Sequence, residues 1–283
     1  MTPQLLAELD RLIDVALAED LGAGDLTTLA CVPADLQAEA VILAKKPCTV
    51  AGLESVERLF ARLSPAVKVA LLVKDGQRVY RGRRLVTLSG PAQALLAGER
   101  VCLNILAQLC GVASQTHKFV ERAANPAVAV LDTRKTTPGM RLLEKYAVHC
   151  GGGVNHRLGL YDQILIKENH IAAAGGILQA IEGARKAYGD KHPVQVEVRN
   201  QEELILAVEG GADSVLLDNM TPAQVKKLCK LVGRRIPTEA SGGITLSNIK
   251  DYAATGVNRI SVGALTHSAP AADLSMLFLG RQA

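Results

Sequence analysis

Apolar residues near the start of the chain (Leu5, Leu6, Leu9, Leu12, Ile13, Ala16 and Leu17) recur at helical spacing, which predicts an amphipathic helix over residues 1–20. Residues 19–28 are rich in glycine and aspartate and read as a loop. Strands are predicted over 38–45 and 67–73, and paired turn signals with alternating apolar positions over 75–90 predict hairpin-rich β structure. Residues 92–113 follow as a long buried helix that carries Glu99, Arg100 and Asn104. From about residue 127 the pattern changes. Short β-rich runs (127–131, 163–166, 194–198, 214–217, 236–240 and 259–262) alternate in their later part with amphipathic helical stretches over 176–188, 201–209, 223–231 and 247–254. That alternation is the mark of βα units around a parallel sheet, open or closed as a barrel. Only about 140 residues are available where eight such units need about 250, so the expectation is an incomplete barrel of six or seven strands, its gap closed by the preceding domain.

Each run stops on polar residues or glycine: Asp132-Thr-Arg-Lys135, Lys167-Glu-Asn169, Glu197, Asp218-Asn219, Ser241-Gly-Gly243 and Gly263-Ala264. In βα barrels the chemistry sits at the carboxyl ends of the strands. Period-2 alternation within Val194-Gln-Val-Glu-Val198 sets Gln195 and Glu197 on the face opposite three valines. A carboxylate aimed into a barrel needs a cation to meet it.

Composition narrows the classes. Apolar residues make up 48% of the 283, with 3% aromatic and no tryptophan, which suits Val/Leu/Ile/Ala strands covered on both faces. The net charge of +4 is spread out, and no basic run interleaved with aromatics suggests nucleic acid. The start lacks the basic then apolar layout of a signal peptide, and no apolar run approaches the roughly 20 residues of a membrane span. A soluble, cytoplasmic protein is the expectation. The cysteines at 31, 48, 102, 110, 150 and 229 form no Cys-x-x-Cys pair, and most of them sit in apolar segments and read as small buried hydrophobes. Cys150 lies beside a glycine run, but no base stands at a useful position for nucleophilic work.

Arg134, Lys135, His156, Arg157 and Lys167 fall within about one supersecondary unit, with few acidic residues among them. A core has no use for such a cluster, whereas a site for a polyanion does. The bland readings are surface lysines, an Arg100 paired with Glu99 or Glu121, and a tight turn at Gly151-Gly-Gly153. Glu197 and Asp218 either pair with the lysines or offer hard oxygen ligands to a Mg²⁺ that arrives with a polyphosphate. Ser241-Gly242-Gly243 and Val262-Gly263-Ala264, ending the last two strands, suit a phosphate cradled by backbone N–H groups. The balance fits a phosphorylated substrate plus a carboxylate-bearing one. Neither a Ser-His-Asp nor a Cys-His arrangement nor zinc-ligand spacing is apparent.

These stretches, together with Glu19-Asp-Leu-Gly22, Gly24-Asp-Leu-Thr27, Glu99-Arg100, Asp132-Thr-Arg-Lys-Thr-Thr-Pro-Gly139, Lys145-Tyr-Ala-Val148, Gly151-Gly-Gly-Val-Asn-His-Arg157 and Ile166-Lys-Glu-Asn-His-Ile171, resemble the quinolinate phosphoribosyltransferase family over nearly the whole chain. The resemblance implies an N-terminal α/β sandwich domain (1–115), onto which 267–283 packs back, and an incomplete TIM-like α/β barrel (116–266). It implies transfer of phosphoribosyl from 5-phosphoribosyl-1-pyrophosphate to quinolinate, with pyrophosphate and CO₂ released, in a homodimer with shared sites. Thr133, Arg134, Lys135, His156, Arg157 and Lys167 would then bind quinolinate, joined by Arg100 of a second subunit. Lys135, Lys167, Glu197, Asp218, Ser241, Gly242, Gly243, Val262, Gly263 and Ala264 would bind the donor. Lys135, Lys167, Glu197 and Asp218 would carry the catalysis, the two carboxylates acting with Mg²⁺. A relative using another acceptor, or a Schiff-base aldolase barrel, is the alternative.

Overall fold

The amino-terminal stripe folds as a helix, Pro3–Leu21, that buries Leu5, Leu9 and Ile13 and is capped by Thr2, whose side chain accepts the Leu5 N–H. Its polar side meets helix Glu54–Leu63: Arg58 pairs with Asp10 at 2.5 Å, and Arg62 reaches Asp10 at 2.9 Å and Asp14 at 2.5 Å. The computed structural model that shows this describes residues 1–281 and divides into two units. Unit 1 holds residues 1–117, 136–152 and the described residues from 266 on; unit 2 holds 118–135 and 153–265.

In unit 1 the strands are β1 (Gln37–Ala44), β2 (Cys48–Thr49), β3 (Lys68–Leu71), β4 (Arg78–Val79) and β5 (Arg84–Pro91). In unit 2 they are β6 (Ala129–Leu131), β7 (Ile164–Ile166), β8 (Val194–Val198), β9 (Ser214–Asp218), β10 (Thr238–Ser241) and β11 (Arg259–Ser261). The last strand, β12 (Leu274–Arg281), returns to unit 1 and pairs antiparallel with β1, giving the order β12-β1-β5-β3. The carboxyl-terminal return is thus a strand in that sheet; residues 282 and 283 of the expected segment lie outside the described residues.

Unit 2 is built on a six-stranded parallel sheet in the order β6-β11-β10-β9-β8-β7. Strands β6 and β7, consecutive in sequence, stand at opposite edges, so the circuit is that of a βα barrel opened between its first and second strands. Val154 adds a single parallel bridge to Leu131 on the free side of β6. Val194, Val196, Val198, Val215, Leu217, Ala240 and Ile260 form an apolar face with no solvent exposure. Helices Gln201–Glu209 and Ile177–Tyr188 pack on β8 and β7. Each buried valine or leucine contributes about 1.5–3 kcal/mol, enough to let the opposite face carry polar residues.

Four expectations change. The 19–28 loop ends at Asp25, which accepts the Thr28 N–H at 3.0 Å and so starts a short helix, Leu26–Cys31. The 75–90 segment, expected to be hairpin-rich, holds two strands with separate partners: β4 pairs with β2, whereas β5 pairs with β1 and β3. The helix from 92 continues to Ala123, so the boundary drawn at 115/116 falls inside it. By length and composition it could cross a membrane, yet it reads as a core helix, since Leu95, Cys102, Leu106, Leu109, Cys110 and Val112 are all buried. Finally, 136–152 leaves the barrel segment for unit 1. Its helix Arg141–Cys150 packs on helix Pro3–Leu21, and the Tyr146 hydroxyl donates to Asp75 at 2.6 Å. A Cβ at Gly151 would lie 2.4 Å from the Ala113 carbonyl oxygen. That glycine permits close packing against another helix, which accounts for part of the glycine run without a ligand.

Candidate active site

In unit 2 the register sets the strand ends level. Ser241 is flanked by Asp218 on β9 and Ser261 on β11, and Ser261 is followed by Leu131 on β6. On the other side Ile166 lies beside Val196. Thr133, Arg134, Lys135, Lys167, Glu197, Asp218, Ser241–Gly243 and Val262–Ala264 therefore leave one edge of one sheet. His156 and Arg157 follow the Val154 bridge at the same edge. Arg100 belongs to unit 1, on helix Ala92–Ala123. Its side chain is 65% exposed and only 4.0 Å from Glu99, a pairing of small energetic weight.

The cationic side is braced by acids that hold backbone. Asp132, fully buried, accepts the His156 N–H at 2.8 Å. Asp162 accepts the N–H groups of Leu158 (2.6 Å) and Gly159 (3.0 Å). Burial works against its charge, but those two bonds and Arg157 outweigh it and hold its carboxyl below the usual range. The Arg157 guanidinium donates to the Gln163 carbonyl at 3.0 Å, which orients the planar fork. Burial, and then the charge of Arg134, lower its affinity for a proton, while Asp162 partly compensates. Two guanidinium groups whose charges oppose each other gain from an anion placed between them. Lys135 is exposed, and its N–H donates to the Thr133 hydroxyl at 3.0 Å.

On the other side, Lys167 at the end of β7 pairs with Glu197 of β8 at 3.0 Å; the carboxylate is 14% and the lysine 49% exposed. The carboxylate aimed inward does meet a cation, as its position on β8 demanded. Asp218 accepts from the Asn219 side chain at 2.6 Å. Asn219 is at φ +54 and donates its N–H to the Ser241 carbonyl at 2.9 Å. Gly242 closes on that residue: at φ +89, a Cβ there would come within 2.2 Å of Asn219 Oδ1. Gly243, at φ +64, faces open space, and the loop is tied by Asn248, which donates to the Gly243 carbonyl at 3.0 Å and accepts the Thr245 N–H at 2.8 Å. Among the described residues no group of three or more His, Cys, Asp or Glu side chains is placed to hold a metal. Glu197 and Asp218 suit a Mg²⁺ that brings phosphate oxygens with it.

The sequence reading missed Glu239. It lies on β10 with 1% exposure, and its Oε2 accepts from the Gln195 side chain at 3.0 Å. Gln195 Oε1 in turn accepts from Gln163 at 3.3 Å. Glu239 Oε1 has no hydrogen-bond partner; its ionic neighbour is His156 Nε2 at 3.5 Å. Burial opposes ionisation of Glu239, but His156, Gln195 and Ser261 together keep its carboxyl below the ordinary range. The alternation that turned Glu197 inward applies equally to Thr238-Glu-Ala-Ser241 and was the available signal. His156 was expected to face a ligand. Instead its Nε2 faces Glu239 and its Nδ1 accepts the Arg157 N–H at 2.7 Å. At Cys150, in unit 1, burial and the charge of Asp75 push the thiol up to about 11, which works against a thiolate there.

Known proteins supply the remaining evidence. Residues 25–110 match the family model of the quinolinate phosphoribosyl transferase N-terminal domain, and residues 112–277 that of its C-terminal domain. The chain is 45% identical over 269 residues to a probable carboxylating nicotinate-nucleotide pyrophosphorylase of Bacillus subtilis, covering 95% of this chain and 93% of that one. A chloroplastic carboxylating nicotinate-nucleotide pyrophosphorylase of Arabidopsis thaliana is 40% identical over 288 residues, covering 95% and 82%. Among solved structures, NadC from Streptococcus pyogenes superposes with a TM-score of 0.93 at 37% identity, covering 99% of both chains.

Proposed function

The chain belongs to the quinolinate phosphoribosyl transferase family, and from that premise we propose that it joins quinolinate to 5-phosphoribosyl-1-pyrophosphate in NAD biosynthesis. The products are nicotinate mononucleotide, pyrophosphate and CO₂. Within the structure, the observation that carries this reading is the array at one sheet edge. Cations follow β6, the Val154 bridge and β7, while carboxylates and glycine turns end β8, β9 and β10.

Arg134 and Arg157 grip the two carboxylates of quinolinate, with Lys167, Thr133 and Arg100 of a second copy completing the set. Lys135 and Lys167 face the pyrophosphate, and the Ser241–Gly243 and Val262–Ala264 turns take the 5-phosphate through backbone N–H groups. Glu197 and Asp218 face the ribose. As the bond at C1 breaks, positive charge grows on the sugar and negative charge on the leaving group; the two carboxylates oppose the first and the two lysines the second. The Lys167–Glu197 pair keeps both groups poised, and an arriving polyphosphate takes over the lysine. The pyridine nitrogen then attacks, and the cationic ring accepts the electrons released by loss of the adjacent carboxylate. The protein supplies placement and charge.

A Mg²⁺ arriving with the donor would be held by Glu197 and Asp218, and the chemistry it would supply there is charge neutralisation. The exposed Arg100 supports a homodimer in which it serves the site of a second copy, and a cytoplasmic location fits six cysteines that are all free. The test is formation of CO₂ and nicotinate mononucleotide from quinolinate, with and without Mg²⁺. Pyrophosphate release that requires both substrates is the expected result. Equal use of nicotinate would overturn the assignment of Arg134 and Arg157, and borohydride trapping of a carbonyl substrate would favour an aldolase.

A further inference from the structure

Glu239 is a charged group in a place where charge does not help folding. A buried carboxylate costs several kcal/mol to desolvate, and an apolar replacement of similar volume is often as stable or more so. Its contacts suggest another use. The ring of His156 accepts the Arg157 N–H at Nδ1, so the neutral imidazole carries its proton on Nε2, and Nε2 points at Glu239 Oε1. On the far side Gln195 donates to Oε2. Glu239 Oε2 thus holds one hydrogen bond, while Oε1, which has no hydrogen-bond partner, lies 3.5 Å from the His156 ring. The backbone N–H of His156 is held separately by Asp132. The segment carrying Arg157 is fixed at two points, one leading back to β6 and the other, through the imidazole, to β10.

We propose that Glu239 is a positioning residue for acceptor binding. It holds His156 in the Nε2–H tautomer with its ring plane set, and His156 in turn holds the Arg157 backbone so that the guanidinium meets a substrate carboxylate. The inference rests on the reading above that Arg157 binds quinolinate. Glutamine cannot replace Glu239, because its single acceptor oxygen serves either Gln195 or His156, and its amide N–H₂ then opposes the other donor.

The test combines kinetics with ¹⁵N spectra of the histidine rings, His156 being assigned from the signal lost in His156→Asn. In the wild-type protein Nδ1 is expected to be unprotonated and Nε2 protonated. Glu239→Gln should move that signature and raise the KM for quinolinate about ten- to hundredfold, leaving the donor KM within about twofold. In Glu239→Gln/His156→Asn the two losses should not multiply, since both act on one chain of contacts. A protonated Nδ1 in the wild-type protein overturns the proposal even if Glu239→Gln does not fold. So do multiplicative losses, or a Glu239→Gln enzyme with unchanged tautomer and KM. Failure of the wild-type protein to decarboxylate quinolinate would sink the functional reading alone and leave the tautomer result standing.

Discussion

Glu144 in unit 1 and Glu239 in unit 2 are both sealed from solvent, yet the two units satisfy them differently. Glu144 sits among three donors: the Thr137 N–H at 3.1 Å, the Thr137 hydroxyl at 2.7 Å and the Gln108 amide at 3.4 Å. It staples the turn after Lys135 to its own helix. Glu239 has one full hydrogen bond and one oxygen with only a distant histidine. Saturated buried carboxylates lock a fold; under-satisfied ones are tolerated where geometry must be held for something else. The same contrast runs between the units. In unit 1 Asp75 is ringed by the Tyr146 hydroxyl and two backbone N–H groups, whereas the strand ends of unit 2 leave lysines and arginines facing outward.

The largest effects should come from the strand ends of unit 2. Arg157→Ala should raise the quinolinate KM about a hundredfold, the scale of a lost bidentate charge pair. Glu197→Ala should instead lower kcat about 10²- to 10³-fold, because it opposes charge that exists only in the transition state. Steady-state kinetics with both substrates varied separates the two. If both variants changed quinolinate affinity alone, the division between the two walls would fail.

Next in size is Glu144→Ala, expected to cost about 3 kcal/mol because it strands buried donors. Denaturant unfolding measures that loss directly. The kinetic constants of the molecules that remain folded should move far less than in Glu239→Gln. A Glu144→Ala enzyme with an equal rise in quinolinate KM would erase the distinction between staple and positioning residue.

The course of the parallel sheet was legible in the sequence because its rule is local. Val194-Gln-Val-Glu-Val198 states its two faces in five residues, and the polar strand ends mark the working edge without any partner being known. What stayed hidden depended on long-range pairing. Nothing near Arg78 says that β4 will pair with β2 while β5 pairs with β1. The cationic cluster looked short of acids because Glu197 and Glu239 approach from strands far along the chain. His156 is the sharpest case: a histidine beside an arginine suggests a ligand, and only the packed ring shows that both its nitrogens face protein. The glycines divided the same way, since Gly242 serves the working edge whereas Gly151 serves helix packing in unit 1.

A smaller effect tests that division. Gly242→Ala forces a Cβ onto Asn219 at a positive φ, which should cost about 1–3 kcal/mol and raise the donor KM while leaving the quinolinate KM nearly unchanged. Gly243→Ala meets no neighbour and bears only the conformational cost of about 1 kcal/mol. Thermal unfolding and donor titration of the pair should rank them in that order. A reversed order would mean that the turn is not built around Asn219.

The smallest effect belongs to unit 1 and appears only at high pH. Burial and then Asp75 raise the Cys150 thiol to about 11, above the roughly 8.5 of an unfolded cysteine. The folded protein thus keeps a proton that the unfolded chain releases. The resulting stability is fully present below about pH 8.5 and is lost as pH rises toward 11. Tyr146 shifts the same way, through burial and its bond to Asp75, so the comparison must be made against Cys150→Ser on the same Tyr146 background. The wild-type protein should lose more stability than the variant between pH 8.5 and 11. At pH 8, iodoacetamide should label exposed Cys31 well before Cys150. Faster labelling of Cys150 would show that Asp75 and its neighbours are open to solvent, and unit 1 would no longer be the closed half of the comparison.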